Sequence, residues 1–266
     1  MFARILLFGY GAMASAMLEG WLASGLEPGH FAVYNPRPKP VPEGVAFWSE
    51  PPAGPFDAVV LGVKPQKLGE VAEEVARLIS PHTVLISMLA AVDLDALAAR
   101  FPDAGAIVRL MPNLAVAIGK SPNALVERGL TAGQREAVSD LATRLGSAEW
   151  LADERQFDLI TALTGSGPGF VYRFIDALAG GAAGLGMDRA QADRLAKQMV
   201  AGAAALAAES RLSPGELASR VASPGGTTQK GLDVLDEGGA LQSLLTACLA
   251  ATRDRERELS RLLRRE

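Results

Sequence analysis

The sequence predicts an α/β fold: a doubly wound parallel sheet in the amino-terminal part of the chain, followed by an all-α domain. The sheet is predicted because short, wholly apolar runs alternate with helical patterns in the first part of the 266 residues. The second domain is predicted because strand-like runs disappear after Ala152, where alanine, leucine and glycine begin to dominate. We therefore expect two domains, residues 1–152 and residues 153–266.

The first predicted strand leads directly into a glycine-rich turn. Ile5–Phe8 is wholly apolar, as in a strand buried on both faces, and G-Y-G-A-M-A follows from Gly9 to Ala14. In such a turn Gly9 makes the tight bend, Gly11 lets a pyrophosphate approach the backbone, and Ala14 packs the helix against the strand. The order of strand, turn and helix therefore predicts a Rossmann-type dinucleotide site; a glycine-rich turn without a ligand is the alternative.

The loop after the second strand bears on the choice of cofactor. An Asp or Glu at the end of Phe31–Tyr34 would bind the ribose hydroxyls of NADH, and none is present. Asn35, Arg37 and Lys39 follow instead, and their side chains are suited to a 2′-phosphate. We therefore expect NADPH to be preferred over NADH; a solvated basic loop is the alternative.

Strands and helices continue to alternate along the rest of this domain. The apolar runs predict strands over Phe56–Val63, Thr83–Ser87, Ala106–Leu110 and Ala148–Leu151. The helical patterns predict helices over Leu68–Ile79, Asp93–Arg100 and Gly133–Leu145. Lys64 directly follows the first of these strands, at the carboxyl end where open α/β sheets bind their ligands.

The second domain is predicted to contain helices only. They are expected over Arg155–Leu163, Pro168–Leu185, Arg189–Glu209, Pro214–Arg220, Thr228–Asp236 and Leu241–Leu263. Two faces of small residues, Ala179–Ala183 and Ala201–Ala208, are suited to packing on each other or on a second chain; a monomeric bundle is the alternative. The charged tail from Arg253 to Glu266 is most simply a solvated helix face.

The stretch Val221–Leu232 reads V-A-S-P-G-G-T-T-Q-K-G-L at the expected start of a helix. Pro224 fixes one φ angle, and the two glycines after it permit a turn that leaves several backbone N–H groups pointing one way. The hydroxyls of Ser223, Thr227 and Thr228 lie beside that turn. The stretch is suited to a carboxylate or a phosphate; an ordinary Pro-Gly turn with a Ser/Thr cap is the alternative.

Composition excludes several classes of protein. The net charge is −4, which argues against binding to nucleic acid. Cys248 is the only cysteine, so a disulfide within the chain is excluded; His30 and His82 lie far apart, and no metal site is expected. No apolar run is long enough to span a bilayer and no secretory signal is recognised, so we expect a cytoplasmic protein.

Five stretches resemble the pyrroline-5-carboxylate reductase family, which carries out the last step of proline biosynthesis. They are G-Y-G-A-M-A-S-A at Gly9–Ala16, V-K-P-Q at Val63–Gln66, R-L-M-P-N at Arg109–Asn113, T-A-L-T-G-S-G-P at Thr161–Pro168 and V-A-S-P-G-G-T-T-Q-K-G-L-D-V-L at Val221–Leu235. They follow the family's order and spacing over nearly the whole chain. The last stretch is the family's signature and is highly specific.

The resemblance implies a Rossmann domain, a helical dimerisation domain and NAD(P)H as cofactor. It also implies a small-molecule substrate site between the domains, completed across a homodimer or within a higher oligomer of dimers. Residues that match the substrate site are Glu154, Ser223, Gly226, Thr227 and Thr228, and the hydroxyl of Thr228 is expected to meet the ring nitrogen. Residues expected to contact the cofactor are Gly9, Tyr10, Gly11, Ala12, Met13, Asn35, Arg37, Ser49, Val63, Lys64, Ala90 and Asn113.

The implied reaction is hydride transfer from NAD(P)H to the imine carbon of pyrroline-5-carboxylate, giving proline. The imine nitrogen can be protonated before the reaction, so no strong general acid is required and positioning does most of the work. The chain departs from the family pattern at positions near the cofactor. These departures are Ala12, Ala91 in place of a glycine, Leu114-Ala115, and Arg220.

Other functions remain as alternatives. A paralogue could reduce another cyclic imine. A β-hydroxyacid dehydrogenase would use a helix lysine near the start of the helical domain, and no lysine occurs between Lys120 and Lys197. A non-catalytic dinucleotide-binding regulator would need no carboxylate site, which the intact loop from Ser223 to Thr228 argues against.

Overall fold

The computed structural model describes residues 2–263, which form two compact units. The first unit takes the chain up to Ser166 and resumes at Thr252, and the second is Gly167–Ala251. The segment after Ala152 belongs to the first unit because Phe157, which is 1% exposed, packs in the core under the sheet. The domain boundary expected after Ala152 stays a prediction.

A mixed, mainly parallel sheet of eight strands forms the centre of the first unit within the described residues. The strands are β1 (Ile5–Phe8), β2 (Phe31–Tyr34), β3 (Ala46–Trp48), β4 (Ala58–Leu61), β5 (Val84–Ser87), β6 (Ala106–Met111), β7 (Ser121–Arg128) and β8 (Gly146–Trp150). Their order is β3-β2-β1-β4-β5-β6-β7-β8, and β6 and β7 are the one antiparallel pair among them. The predicted α/β class is confirmed.

Helices cover both faces of this sheet, as its apolar strands require. They are α1 (Ala12–Ala23), α2 (Leu68–Ala76), α3 (Leu94–Arg100) and α4 (Ala132–Arg144). Alternate residues of β1 enter different cores: Ile5 and Leu7 pack with α1 and α4, whereas Leu6 and Phe8 pack with α2 and α3. The indole nitrogen of Trp21 on α1 donates to the Leu141 carbonyl on α4 at 2.9 Å, which joins the two helices of one face.

Two of the strands, β3 and β7, were not predicted. β3 is only three residues long and lies at an edge of the sheet. β7 begins S-P-N, and its Pro122 argued against a strand. The predicted strand Phe56–Val63 is shortened to β4 because Gly62 and Val63 turn towards the glycine-rich loop.

The single helix expected over Arg155–Leu163 is wrong. The chain forms a 3₁₀ turn at Glu154–Gln156, one helical turn α5 at Phe157–Ile160, and a π-helical turn at Thr161–Gly165. The hydroxyl of Thr161 donates to the Phe157 carbonyl, and that of Thr164 donates to the Ile160 carbonyl, at 2.9 and 3.0 Å. Hydroxyls that bond to carbonyls four residues back bend a helix, and the glycines that follow add further freedom.

The second unit is helical, as predicted. It contains α6 (Gly167–Gly184), α7 (Arg189–Glu209), α8 (Pro214–Val221), α9 (Thr227–Asp236) and the first part of α10 (Ala240–Leu263). Ala179 on α6 packs against Ala192 and Ala196 on α7. Of the two expected small-residue faces, Ala179–Ala183 therefore packs within the chain on other alanines, and most of Ala201–Ala208 is exposed.

The charged tail is not simply solvated, which corrects the expectation for it. α10 ends in the first unit, where Glu256 is half-buried and Leu263 packs against one of the sheet's cores. Residues 264–266 lie outside the described part of the chain. Among the described helices, none has the length and apolar character needed to cross a membrane. No group of three or more potential metal ligands is found in residues 2–263 either.

Candidate active site

The glycine-rich turn packs closely against the residues that follow β4. Gly9 has a φ of +94°, in the left-handed region, and its N–H donates to the Tyr34 carbonyl at 2.9 Å. A Cβ atom at this position would lie 2.9 Å from both the Gly62 carbonyl carbon and Val63 Cγ1. Only glycine satisfies both the backbone angle and the available space.

The first turn of α1 is open to an anion. Gly11 is the N-cap of this 12-residue helix and no side chain caps it, and both Gly11 and Ala12 are exposed. Met13 is half-buried behind them. This helix start lies at the carboxyl end of β1, next to β4, where the strand order reverses. The predicted turn therefore has the geometry that receives a pyrophosphate.

The loop after β2 is hydrogen-bonded to the glycine-rich turn. Asn35 Oδ1 accepts from the Tyr10 N–H at 3.2 Å, and Asn35 Nδ2 donates to the Arg37 carbonyl at 2.6 Å. Lys39 Nζ donates to the Tyr10 carbonyl at 2.6 Å. The Arg37 side chain is exposed beside them, as is Ser49 just after β3. The basic loop and the turn thus form one continuous surface.

The next strands bring two further segments to the same edge of the sheet. Val63 and Lys64 follow β4, and Lys64 is exposed at the start of a 3₁₀ turn. Ala90 is half-buried in the loop after β5. Because β1, β2, β4 and β5 are parallel neighbours, their carboxyl ends place most of the expected cofactor residues side by side.

Asn113 follows β6, but its polar groups already have partners. Its Oδ1 accepts from the Ala115 N–H, and its Nδ2 donates to the Thr164 carbonyl, both at 2.9 Å. Its own N–H donates to Ser121 Oγ at 2.9 Å. Asn113 therefore joins three segments of the first unit, and its expected contact with a cofactor stays a prediction.

Glu154 belongs to a cluster of charges that the sequence did not indicate. Its Oε1 accepts from Arg109 Nη1 at 2.7 Å and from the Leu94 N–H at 2.9 Å. The Arg109 guanidinium also lies over the Phe157 ring, 3.8 Å from its centroid. Arg109, Glu154, Asp158 and Arg257 line a polar cleft of about 330 Å³. An arginine inside an apolar strand was the one sequence signal for this cluster.

Glu256 on α10 is a further charged residue that the sequence did not single out. Its Oε1 accepts from the Ala91 N–H at 2.7 Å. Burial raises the pKa of the Glu256 carboxyl and the negative charge of Asp158 raises it further, while the Ala91 N–H and the Arg109 charge lower it. No local pattern in the charged tail marks this residue, because its partner lies 165 positions earlier.

The loop from Ser223 to Thr228 forms the predicted turn and helix start. Gly225 has a φ of +71°, and the Gly226 N–H donates to the Ser223 carbonyl at 2.8 Å. Gly226 is the N-cap of α9 and no side chain caps it. Thr227 and Thr228, in the first turn of this 10-residue helix, are exposed. The structure thus leaves a helix start with two hydroxyls open to a carboxylate.

Comparisons with known proteins find similarity to one family along nearly the whole chain. Residues 154–259 match the family model described as pyrroline-5-carboxylate reductase dimerisation. The pyrroline-5-carboxylate reductase of Pseudomonas aeruginosa is 31% identical over 98% of this chain and 98% of its own. The solved structure of a pyrroline-5-carboxylate reductase from Coxiella burnetii has a TM-score of 0.88 and 30% identity, and covers 97% of this chain and 98% of its own. The fold is also that of Plasmodium falciparum pyrroline carboxylate reductase with NADP bound, at a TM-score of 0.83 and 22% identity over 97% of this chain and 98% of that one.

Proposed function

The chain belongs to the pyrroline-5-carboxylate reductase family, and from this premise we propose that it reduces L-1-pyrroline-5-carboxylate to L-proline with NAD(P)H. The observation that carries the proposal is the uncapped start of α9 behind the S-P-G-G turn. Within a chain that matches the family over nearly its full length, this turn supplies a site for the substrate carboxylate. A dinucleotide-binding regulator would need no such site.

The cofactor site is assigned to the carboxyl edge of the sheet. The N–H groups at the start of α1, from Gly11 to Met13, bind the pyrophosphate, and the absence of a Cβ on Gly11 allows its approach. Asn35, Arg37 and Ser49 contact the adenosine ribose with its 2′-phosphate, because Asn35 is hydrogen-bonded to this turn and the other two are exposed just after β2 and β3. The remaining contacts are assigned to Tyr10, Ala12, Val63, Lys64, Ala90 and Asn113. When bound, the reduced nicotinamide supplies the hydride.

The substrate site is assigned to the loop from Ser223 to Thr228. Backbone N–H groups at the start of α9 and the hydroxyls of Ser223 and Thr227 bind the carboxylate, with Gly226 leaving them room. The Thr228 hydroxyl hydrogen-bonds the ring nitrogen and so orients the imine carbon. Glu154 is assigned to the neighbourhood of the substrate, where its carboxylate would be shared with Arg109.

The reaction proceeds without a histidine as proton donor. His30 immediately precedes β2 and His82 lies just before β5, so both are at the amino edge of the sheet, opposite the glycine-rich turn. A protonated imine nitrogen needs orientation rather than a general acid at the moment of hydride transfer. Placement of two reactants in a near-attack geometry supplies several kcal/mol towards such a step.

We assign the interface of a homodimer to the second unit. Such homodimers can associate further into a higher oligomer. Val171, Tyr172, Phe174 and Leu178 on α6 are exposed, and Tyr172 is 67% exposed. Leu195, Met199 and Leu206 on α7 are exposed as well. Contiguous exposed apolar side chains of this kind mark a protein interface, and the matching family model is named for dimerisation. We place the enzyme in the cytoplasm, acting on a small molecule with neither nucleic acid nor membrane as partner.

The test is oxidation of NADPH on addition of pyrroline-5-carboxylate, followed by the absorbance of the reduced nicotinamide, with NADH in parallel. We expect rapid oxidation of NADPH, slower oxidation of NADH, and proline as the product. Faster turnover with NADH would contradict the role of Arg37. Binding of NADPH without turnover would contradict pyrroline-5-carboxylate as the substrate, and other cyclic imines would then be assayed.

A further inference from the structure

The loop after β5 holds a strained residue. Ala91 has a φ of +62°, and it is the one non-glycine residue with a positive φ among those that the structure describes. Its side chain is only 5% exposed. An alanine in the left-handed region is strained by the clash of its Cβ with the backbone, so the surrounding structure must stabilise this conformation.

A carboxylate from the last helix stabilises it. Glu256 Oε1 accepts from the Ala91 N–H at 2.7 Å, which is a short, charge-assisted hydrogen bond. The two residues belong to the same compact unit, although the chain between them passes through the second unit. A glycine at this position would adopt the same φ without strain, whereas this chain combines alanine with an external acceptor.

A second carboxylate holds the other end of the same loop. Glu154 Oε1 accepts from the Leu94 N–H at 2.9 Å, at the start of α3. Asp93 Oδ1 accepts from the Ala96 N–H at 2.8 Å and caps that helix. Nearby charges partly balance this local excess of carboxylates, since Arg109 pairs with Glu154 and Arg257 pairs with Asp158. The segment from Ala91 to Leu94 is thus fixed at both ends.

We propose that Glu256 is a positioning residue for the cofactor: by accepting the Ala91 N–H, it fixes the loop so that Ala90 lies against the bound dinucleotide. This inference rests on the proposed function, which assigns Ala90 to the cofactor. Without the acceptor, the buried Ala91 N–H has no partner and the strained backbone relaxes. We expect NADPH affinity to fall about tenfold, because binding must then restore the loop conformation without the help of this hydrogen bond to a charged group. Turnover at saturating NADPH should change by less than about twofold, because no substrate contact is assigned to Glu256.

The experiment compares Glu256→Ala, Glu256→Gln and Glu258→Ala in the full-length protein. Glutamine keeps a neutral side-chain oxygen that accepts the Ala91 N–H, so it should recover most of the NADPH affinity that Glu256→Ala loses. Glu258 is the matched control, because it lies on the same helix but is exposed and pairs with Arg255. Isothermal titration with NADPH gives the dissociation constant, and steady-state kinetics separate KM for NADPH from kcat.

Wild-type NADPH affinity in Glu256→Ala, or equal losses in Glu256→Ala and Glu256→Gln, would overturn the proposal. If Glu256→Ala does not fold, Glu256→Asp replaces it: aspartate keeps the charge but withdraws the carboxyl from the Ala91 N–H. Glu256→Asp should then lose affinity while Glu256→Gln keeps most of it, and wild-type affinity in Glu256→Asp would overturn the proposal. Titration needs no turnover, so a wild type that binds NADPH but does not reduce pyrroline-5-carboxylate would contradict the proposed function alone.

Discussion

Arg109 and Glu154 form an ion pair in which Nη1 of the arginine lies 2.7 Å from Oε1 of the glutamate, and the arginine side chain is only 3% exposed. The same guanidinium stacks over Phe157. The pair joins β6 to the segment after β8, and through Leu94 it also reaches α3. A charge buried to this extent is tolerated only while its partner remains.

Replacing Arg109 with methionine should destabilise the protein. Glu154 loses its charged partner and is left with its bond to the Leu94 N–H, so we expect the free energy of unfolding to fall by about 2 kcal/mol. Urea denaturation followed by circular dichroism measures this change. Arg128→Met is the matched control, because Arg128 pairs with Asp95 at the surface and should lose less than about 1 kcal/mol. Equal losses of unfolding free energy in the two variants would show that the burial of Arg109 does not make its ion pair more important for stability.

Replacing Thr228 with alanine should impair turnover but not cofactor binding. The hydroxyl assigned to the ring nitrogen is lost, and we expect kcat to fall at least about tenfold. The dissociation constant of NADPH should remain within about twofold of wild type. Thr143→Ala, on the exposed side of α4, serves as the control. An unchanged kcat in Thr228→Ala would remove the catalytic role assigned to Thr228.

Replacing Arg37 with alanine should change the preference between cofactors. The guanidinium assigned to the 2′-phosphate is lost, so KM for NADPH should rise about tenfold. KM for NADH should stay the same, because NADH carries no such phosphate. Arg77→Ala, an exposed arginine at the far end of α2, should affect neither cofactor. A parallel rise for NADH would contradict a specific contact with the 2′-phosphate.

Replacing Glu256 with glutamine should change how stability depends on pH. Burial raises the folded-state pKa of this carboxyl above its usual 4.5, and Asp158 adds to the rise. The folded state therefore binds the proton more tightly than the unfolded state, and wild type loses stability as pH rises from about 4.5 through the raised pKa. Glu256→Gln cannot lose that proton, so its stability relative to wild type should increase over this interval and then level off. Thermal denaturation of both proteins across a pH series tests this; a constant difference would contradict it.

Replacing Tyr172 with aspartate should weaken the dimer. The side chain is 67% exposed in the single chain, and a charge in an apolar interface carries a large desolvation cost. Sedimentation at several protein concentrations should show monomer where wild type shows dimer. Ile118→Asp is the control, because Ile118 is similarly exposed but lies in the first unit. A dimer in the Tyr172 variant would place the interface elsewhere.

Local patterns predicted most of the fold, whereas the residues expected to contact the cofactor stay a prediction. β1, β2 and α7 begin and end where the sequence indicated, because their hydrophobic periods and flanking glycine or acidic residues are strong local signals. β7 was missed because its ladder to β6, not its composition, makes it a strand.

Long-range contacts limited the prediction at the site. Glu154 was singled out for the substrate, but its bonds to Arg109 and Leu94 come from residues distant in sequence. The sequence placed Glu256 among several charges expected to be solvated, and only the folded chain brings it to Ala91. Arg155–Leu163 was predicted as one helix because helix propensity does not register the bonds from threonine hydroxyls to backbone carbonyls.

The short strand at one end of the sheet has a consequence for self-association. β3 is three residues long, and at the opposite end the exposed side chains of β8 include Glu149. Unpaired backbone N–H and C=O groups on an edge strand can pair with strands of other molecules. A short edge strand, or charged side chains on it, discourages such pairing. We therefore expect this protein to resist fibre-like stacking at high concentration, so that its copies associate through helices and the sheet remains confined to one chain.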